Sequence, residues 1–88
     1  MKWKEKPCSS DGLRMEAKDQ VGTFHTIVYH YGLKSICLVI ENQKKIISFD
    51  PITSEKVFGM YVDFPVELKI KLVDFEKLLK MKRVVDCL

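Results

Sequence analysis

Apolar and polar side chains alternate along much of this chain, and turn residues interrupt the alternation at short intervals. Leu13-Arg14-Met15-Glu16-Ala17-Lys18 alternates strictly, the period of a strand with one buried and one wet face. Asp19-Gln20-Val21-Gly22 then turns the chain. Residues 23–31 are rich in β-branched and aromatic side chains, as strands are. Ile27, Tyr29 and Tyr31 fall on one side of that strand, with Thr26, Val28 and His30 on the other. Gly32-Leu33-Lys34 makes a tight reversal into residues 35–41, a near-continuous apolar run that predicts a central strand covered on both faces. Asn42-Gln43-Lys44 turns again, and residues 45–49 form the next strand, ended by Asp50-Pro51 because proline cannot donate to a ladder. Connections this short predict antiparallel hairpins.

The ends of the chain are patterned differently. Residues 1–11 read as an arm, with Pro7, Ser9, Ser10, Asp11 and Gly12 as a turn cluster. Trp3 is expected to pack on the body, since an exposed ring would leave much apolar area in water. Residues 56–62 suggest a strand bent at Gly59 and limited by Pro65. Val66-Glu67-Leu68-Lys69-Ile70-Lys71-Leu72 is the cleanest alternation of all and predicts a strand with Val66, Leu68, Ile70 and Leu72 facing the core. Asp74 then suits a helix N-cap, and Phe75, Leu78, Leu79 and Lys82 follow at helical spacing. Glu76 near the start, and Lys80, Lys82 and Arg83 near the end, complement the macrodipole. The predicted class is α+β: a small antiparallel meander of about four to six strands with a short C-terminal amphipathic helix packed on it. The predicted single domain divides into an arm (1–11), a β-rich body (12–73), a helix (74–83), and a tail or edge strand (84–88).

Composition changes this picture little. The chain is 47% apolar and 31% charged, values of a globular protein. Its longest apolar run, residues 36–40, is far short of the roughly 20 residues of a membrane span. No apolar segment of signal-peptide length follows Met1, so the expected location is the cytoplasm, of a cell or an infected host. A core built from 88 residues is thin, which favours oligomerisation, and a homodimer is expected. The net charge of +3 tolerates a polyanion without identifying one.

The chemistry-bearing residues do not assemble into a catalytic motif. Cys8, Cys37 and Cys87 are an odd number with no close pair, which argues against a zinc site and for a reducing compartment. A Cys8–Cys87 bridge would clip the termini together, but the pattern favours reduced thiols over it. His25 and His30 lie five apart, so a regular strand puts them on opposite faces, where they cannot serve one substrate together. The serines sit in no nucleophile elbow, the glycines in no phosphate-cradling loop, and the aspartates mostly at turns. Nothing calls for a metal or a cofactor.

The expected function is therefore non-catalytic protein binding, as an inhibitor or accessory subunit such as viruses and mobile elements encode. The partner would engage a sheet edge, with the outward polar groups Glu67, Lys69, Lys71, Lys80 and Arg83 as binding residues. A nucleic-acid-binding accessory domain is the alternative, using Lys2, Lys4, Lys69, Lys71, Lys82 and Arg83. A small nuclease or hydrolase using His25 or His30 is the third reading. Residues 12–19, with residues 75–80 after a strand, resemble phrases of sliding-clamp domains, but the clamp's N-terminal helix is missing and the middle is too long. The order of strands before a helix is also similar to single-stranded-DNA-binding transcriptional coactivators. Both likenesses stop at pattern.

Overall fold

A computed structural model describes residues 1–8, 12–30, 32–33, 35–43 and 45–86, with the side chains of 78–86 left aside. Five strands run in chain order through one antiparallel sheet: β1 (Lys4–Lys6), β2 (Gly12–Lys18), β3 (Phe24–His30), β4 (Ser35–Asn42) and β5 (Lys45–Pro51). Two helices follow, α1 (Ser54–Met60) and α2 (Val66–Asp86). The expected α+β meander is what the chain forms, with a second helix and with a strand inside the expected arm.

Alternation decides the two sides of the sheet. Across the strands, Glu5, Met15, Ile27, Leu38 and Asp50 lie in one row of paired residues, and paired residues point to the same side. Leu13, Tyr29 and Ile36 form the next row on that side. These positions make the inner face, where Met15, Ile27 and Tyr29 are completely buried. Val57, Tyr61, Phe64, Leu68 and Leu72 cover them from the helical segment. Trp3 is buried too, its ring 5.0 Å edge-on from Tyr61 and 5.0 Å from Phe64. β4 is covered on its inner side by this layer, and Cys37 on its outer side is also buried. Val39 and Glu41, farther along that outer side, are only half-buried, so the expected cover on both faces holds for part of the strand.

The turns follow from local hydrogen bonding. Asp19 Oδ1 accepts from the Val21 amide at 3.0 Å and the Thr23 amide at 2.9 Å, closing the β2–β3 hairpin. Gly22 sits at φ +89°, where a side chain would be strained.

Several expectations for the C-terminal half are corrected. Residues 56–62 are not a bent strand, because Thr53 caps a helix there: its Oγ1 accepts from the Lys56 amide at 3.3 Å. Residues 66–72 are not a strand but the first two turns of α2, anchored by the Pro65 carbonyl, which accepts from Lys69 N at 2.9 Å. Leu68 and Leu72 are buried as expected, but Val66 and Ile70 are 68% and 58% exposed. Asp74 consequently lies inside α2 rather than capping it, and residues 84–86 continue that helix rather than forming an edge strand. Tyr31, Cys87 and Leu88 lie outside the described residues, and so does any Cys8–Cys87 pairing.

Among the described residues, two buried side-chain atoms, Trp3 Nε1 and Tyr29 Oη, have no hydrogen-bond partner. Tyr29 Oη is buried without a hydrogen-bond partner, and burial, with Glu76 nearby, pushes the phenol well above its ordinary pKa. A buried hydroxyl with no partner carries an uncompensated desolvation cost. Tyr29→Phe is therefore expected to leave stability unchanged or raise it by up to about 1 kcal/mol. Urea denaturation of the two proteins checks this, and a loss of stability would show that the hydroxyl is satisfied in solution.

Candidate functional site

The two edges of the sheet differ in kind. β1 is three residues long and reads Lys-Glu-Lys, all exposed. Short length and charge are the usual means by which an edge is protected from pairing. β5 is seven residues long and pairs only with β4. Its Ile46, Ile47 and Phe49 are 60%, 61% and 58% exposed. Three large apolar side chains on an edge strand of this length leave an apolar surface in water.

A β-bulge shapes this edge. Val39 pairs with Phe49 and Ile40 with Ser48, but Glu41 pairs with Ile46, so Ile47 is an extra residue. The consequence is that Ile46 and Phe49, three residues apart, both lie on the outer face, in rows with Glu41 and Val39. Lys45 and Asp50 both lie on the inner face, in rows with Asn42 and Leu38. Asp50 accepts a hydrogen bond from Ser48 Oγ.

The outer face carries a second feature at its far end. Lys2, Lys4, Lys6 and Lys18 line a groove of about 270 Å³ with Phe24, Glu16 and Ala17. Lys18 Nζ stands 5.5 Å over the Phe24 ring. Glu16 pairs with Arg14 at 2.9 Å and stands opposite Lys4 across the strands, so the groove holds one carboxylate among its lysines.

His25 faces the other way, into the layer of helices. Asp19 Oδ2 lies 2.9 Å from its Nε2, and the Tyr61 hydroxyl 2.7 Å from its Nδ1. A carboxylate on Nε2 favours the proton there, leaving Nδ1 to accept from the tyrosine in the neutral ring. This chain of groups ties the β2–β3 turn to the segment between the helices. It does not present a nucleophile, because Tyr61 is buried and burial, followed by the charge of Asp19, raises its pKa. Asp19 is held below the usual carboxylate range, first by the hydrogen bond to His25 and then by those from the backbone. A depressed carboxyl contributes stability above its unfolded value and loses it as pH falls through its folded one. The chain is therefore expected to lose stability on acidification below the ordinary aspartate range, and Asp19→Asn to flatten that acid limb. Denaturant midpoints measured against pH for both proteins check the sign.

The predicted site residues do not form one face. Glu67, Lys69 and Lys71 were expected side by side on a strand, but on a helix Lys69 points away from the other two. Lys69 Nζ lies 5.3 Å over the Phe58 ring, while Lys71 pairs with Glu5. Lys2 and Lys4 sit on the outer face of the sheet, the layer opposite Lys69 and Lys71. Lys80, Lys82 and Arg83 lie on α2, but their side chains are outside the described residues. His25 and His30 occupy opposite faces, His30 lining a groove with Arg14, Val28 and Val39. Among the described residues no three His, Cys, Asp or Glu side chains are grouped to hold a metal. No helix among them is long and apolar enough to cross a membrane. The β5 edge was missed; its one local signal is Ile46-Ile47, a doublet that breaks the alternation where the bulge lies.

No family model, curated protein or solved structure matches the chain.

Proposed function

We propose that this chain is a non-catalytic protein-binding module, acting as an inhibitor or accessory subunit, that takes an extended strand onto the edge of β5. The observation that carries this reading is the exposure of Ile46, Ile47 and Phe49 on a long, unpaired edge strand while the opposite edge is short and charged. A strand added there would receive the free backbone groups of β5 and pack its own side chains on Ile46 and Phe49. The outward groups of α2 have no such role in this reading.

The test compares the wild-type chain with Ile46→Lys and Phe49→Lys as baits in extracts of the source cells. Both substitutions are at exposed positions, so far-UV circular dichroism should be unchanged. A binding partner recovered by wild type should be lost from both variants and kept by Lys71→Ala. Retention by Ile46→Lys and Phe49→Lys would refute the β5 site.

The lysine groove favours a second reading, a nucleic-acid-binding accessory domain. Lys4 and Lys6, alternate residues of β1, stand about 6.6–6.8 Å apart, a spacing suited to successive phosphates, with Lys2 and Lys18 in the same groove and Phe24 beside them as a stacking surface. Anisotropy of a labelled single-stranded oligonucleotide, titrated at several salt concentrations, decides it. Affinity should fall steeply with salt and drop in Lys4→Glu; no binding at low salt ends this reading.

A further inference from the structure

We propose that the strand taken up by β5 is β5 of a second copy of this chain, paired antiparallel about a two-fold axis between Ile47 and Ser48. This inference rests on the β5 edge being a binding site and names its occupant.

Which side chains share a face decides whether two copies of β5 can pair. In an antiparallel pair, residues directly opposite each other point to the same side of the sheet. A two-fold axis between Ile47 and Ser48 places Lys45 opposite Asp50 of the second copy and Ile46 opposite Phe49 of the second copy. In a regular strand the members of each pair would point to opposite faces, because they are odd numbers of residues apart. The bulge removes that conflict. It has already put Ile46 and Phe49 together on the outer face and Lys45 and Asp50 together on the inner face. Only the central Ile47–Ser48 pairs, where the two bulges meet, must adjust.

Chemistry then selects this register over its neighbours. It forms two Lys45–Asp50 ion pairs, one at each end, and two Ile46–Phe49 contacts between them. Slipping the register by one residue, which moves the axis onto Ser48, would set Ile46 opposite Asp50, an outer apolar side chain against an inner charged one. Self-pairing of this kind is isologous and closes at two copies, because each protomer uses its only long open edge. The resulting ten-stranded sheet would end at both sides in the charged β1. The lysine at the start of β5, which on a lone edge would deter pairing, becomes in this register the partner of an aspartate.

Light scattering across a concentration series, with a charge-swap set, tests this. The wild-type chain should approach twice its 10.3 kDa mass as concentration rises. Lys45→Asp and Asp50→Lys each create two like-charge pairs and should weaken the dimer by about tenfold or more. Lys45→Asp combined with Asp50→Lys should restore it to near the wild-type value. A wild-type chain that stays monomeric up to about 1 mM overturns the second copy as occupant. A dimer that the combined variant fails to restore overturns the register. A dimer that survives Phe49→Lys overturns the face. The wider reading is judged separately: a monomer whose extract partner is still lost with Phe49→Lys leaves the β5 site standing and removes only the second copy from it.

Discussion

Leu72→Ala is expected to destabilise the chain by about 2–5 kcal/mol, while Ile70→Ala changes stability by less than about 0.5 kcal/mol. Leu72 is completely buried between α2 and the sheet, whereas Ile70 is more than half exposed. Truncating a buried leucine removes its transfer free energy and leaves a cavity that the sheet above cannot close. A domain of this size has only about 5–10 kcal/mol of stability in total, so the loss would be a large fraction of it. Urea denaturation measures both variants, and the contrast between them is the informative quantity. A strand at residues 66–72 would bury Ile70 and Leu72 alike and give comparable losses. A helix buries Leu68 and Leu72, packs Phe75 partly buried against the same core, and leaves Ile70 in water.

Gly12→Ala is expected to cost about 3 kcal/mol or more, although the substitution adds a single methyl group. A Cβ at Gly12 would stand 1.9 Å from the carbonyl oxygen of Tyr29 and 3.1 Å from its carbon. Both are backbone atoms of β3, held by pairing with β2 on one side and β4 on the other. Relief therefore requires the start of β2 to peel away from β3, at the Gly12–His30 and Leu13–Tyr29 pairs. Amide hydrogen exchange should show lost protection concentrated there, alongside a lowered denaturant midpoint. Gly32→Ala, with open space around its Cβ position, is the matched control and should behave like wild type. Full stability of Gly12→Ala would mean that the close approach of the two strands is not kept in solution.

Both results bear on how far the sequence could be read. β2 to β5 were legible because each is amphipathic or apolar over its own length and bounded by turn chemistry that acts locally, as Asp19 does on Val21 and Thr23. The placement of His25 and His30 on opposite faces followed from spacing alone. Residues 66–72 were misread because Leu68 and Leu72 satisfy two periods at once: a spacing of four is two strand repeats and close to one helical turn. Neither α1 nor the length of α2 could be recovered from that alternation. The capping hydroxyl of Thr53 and the carbonyl of Pro65 were the available signals, and both were outweighed by β-branched and aromatic neighbours.

The candidate site was legible only as a category. The expectation that a sheet edge would matter comes from any open meander. Which edge, and with which residues, depends on strand order. Ile46, Ile47 and Phe49 look like core residues in the sequence, and only the position of β5 at the end of the sheet leaves them in water. The bulge that aligns Ile46 with Phe49 and Lys45 with Asp50 exists only in relation to β4.

The sequence by itself determined the strands β2 to β5 of the meander and their turns, because these follow from side-chain period and local hydrogen bonding. Only the tertiary structure decided that residues 66–86 form a helix, that Trp3 packs on Tyr61 and Phe64, and that β5 is left with its apolar side chains uncovered. Those outcomes depend on contacts between residues far apart in the chain, where burial against a distant partner outweighs the local preference.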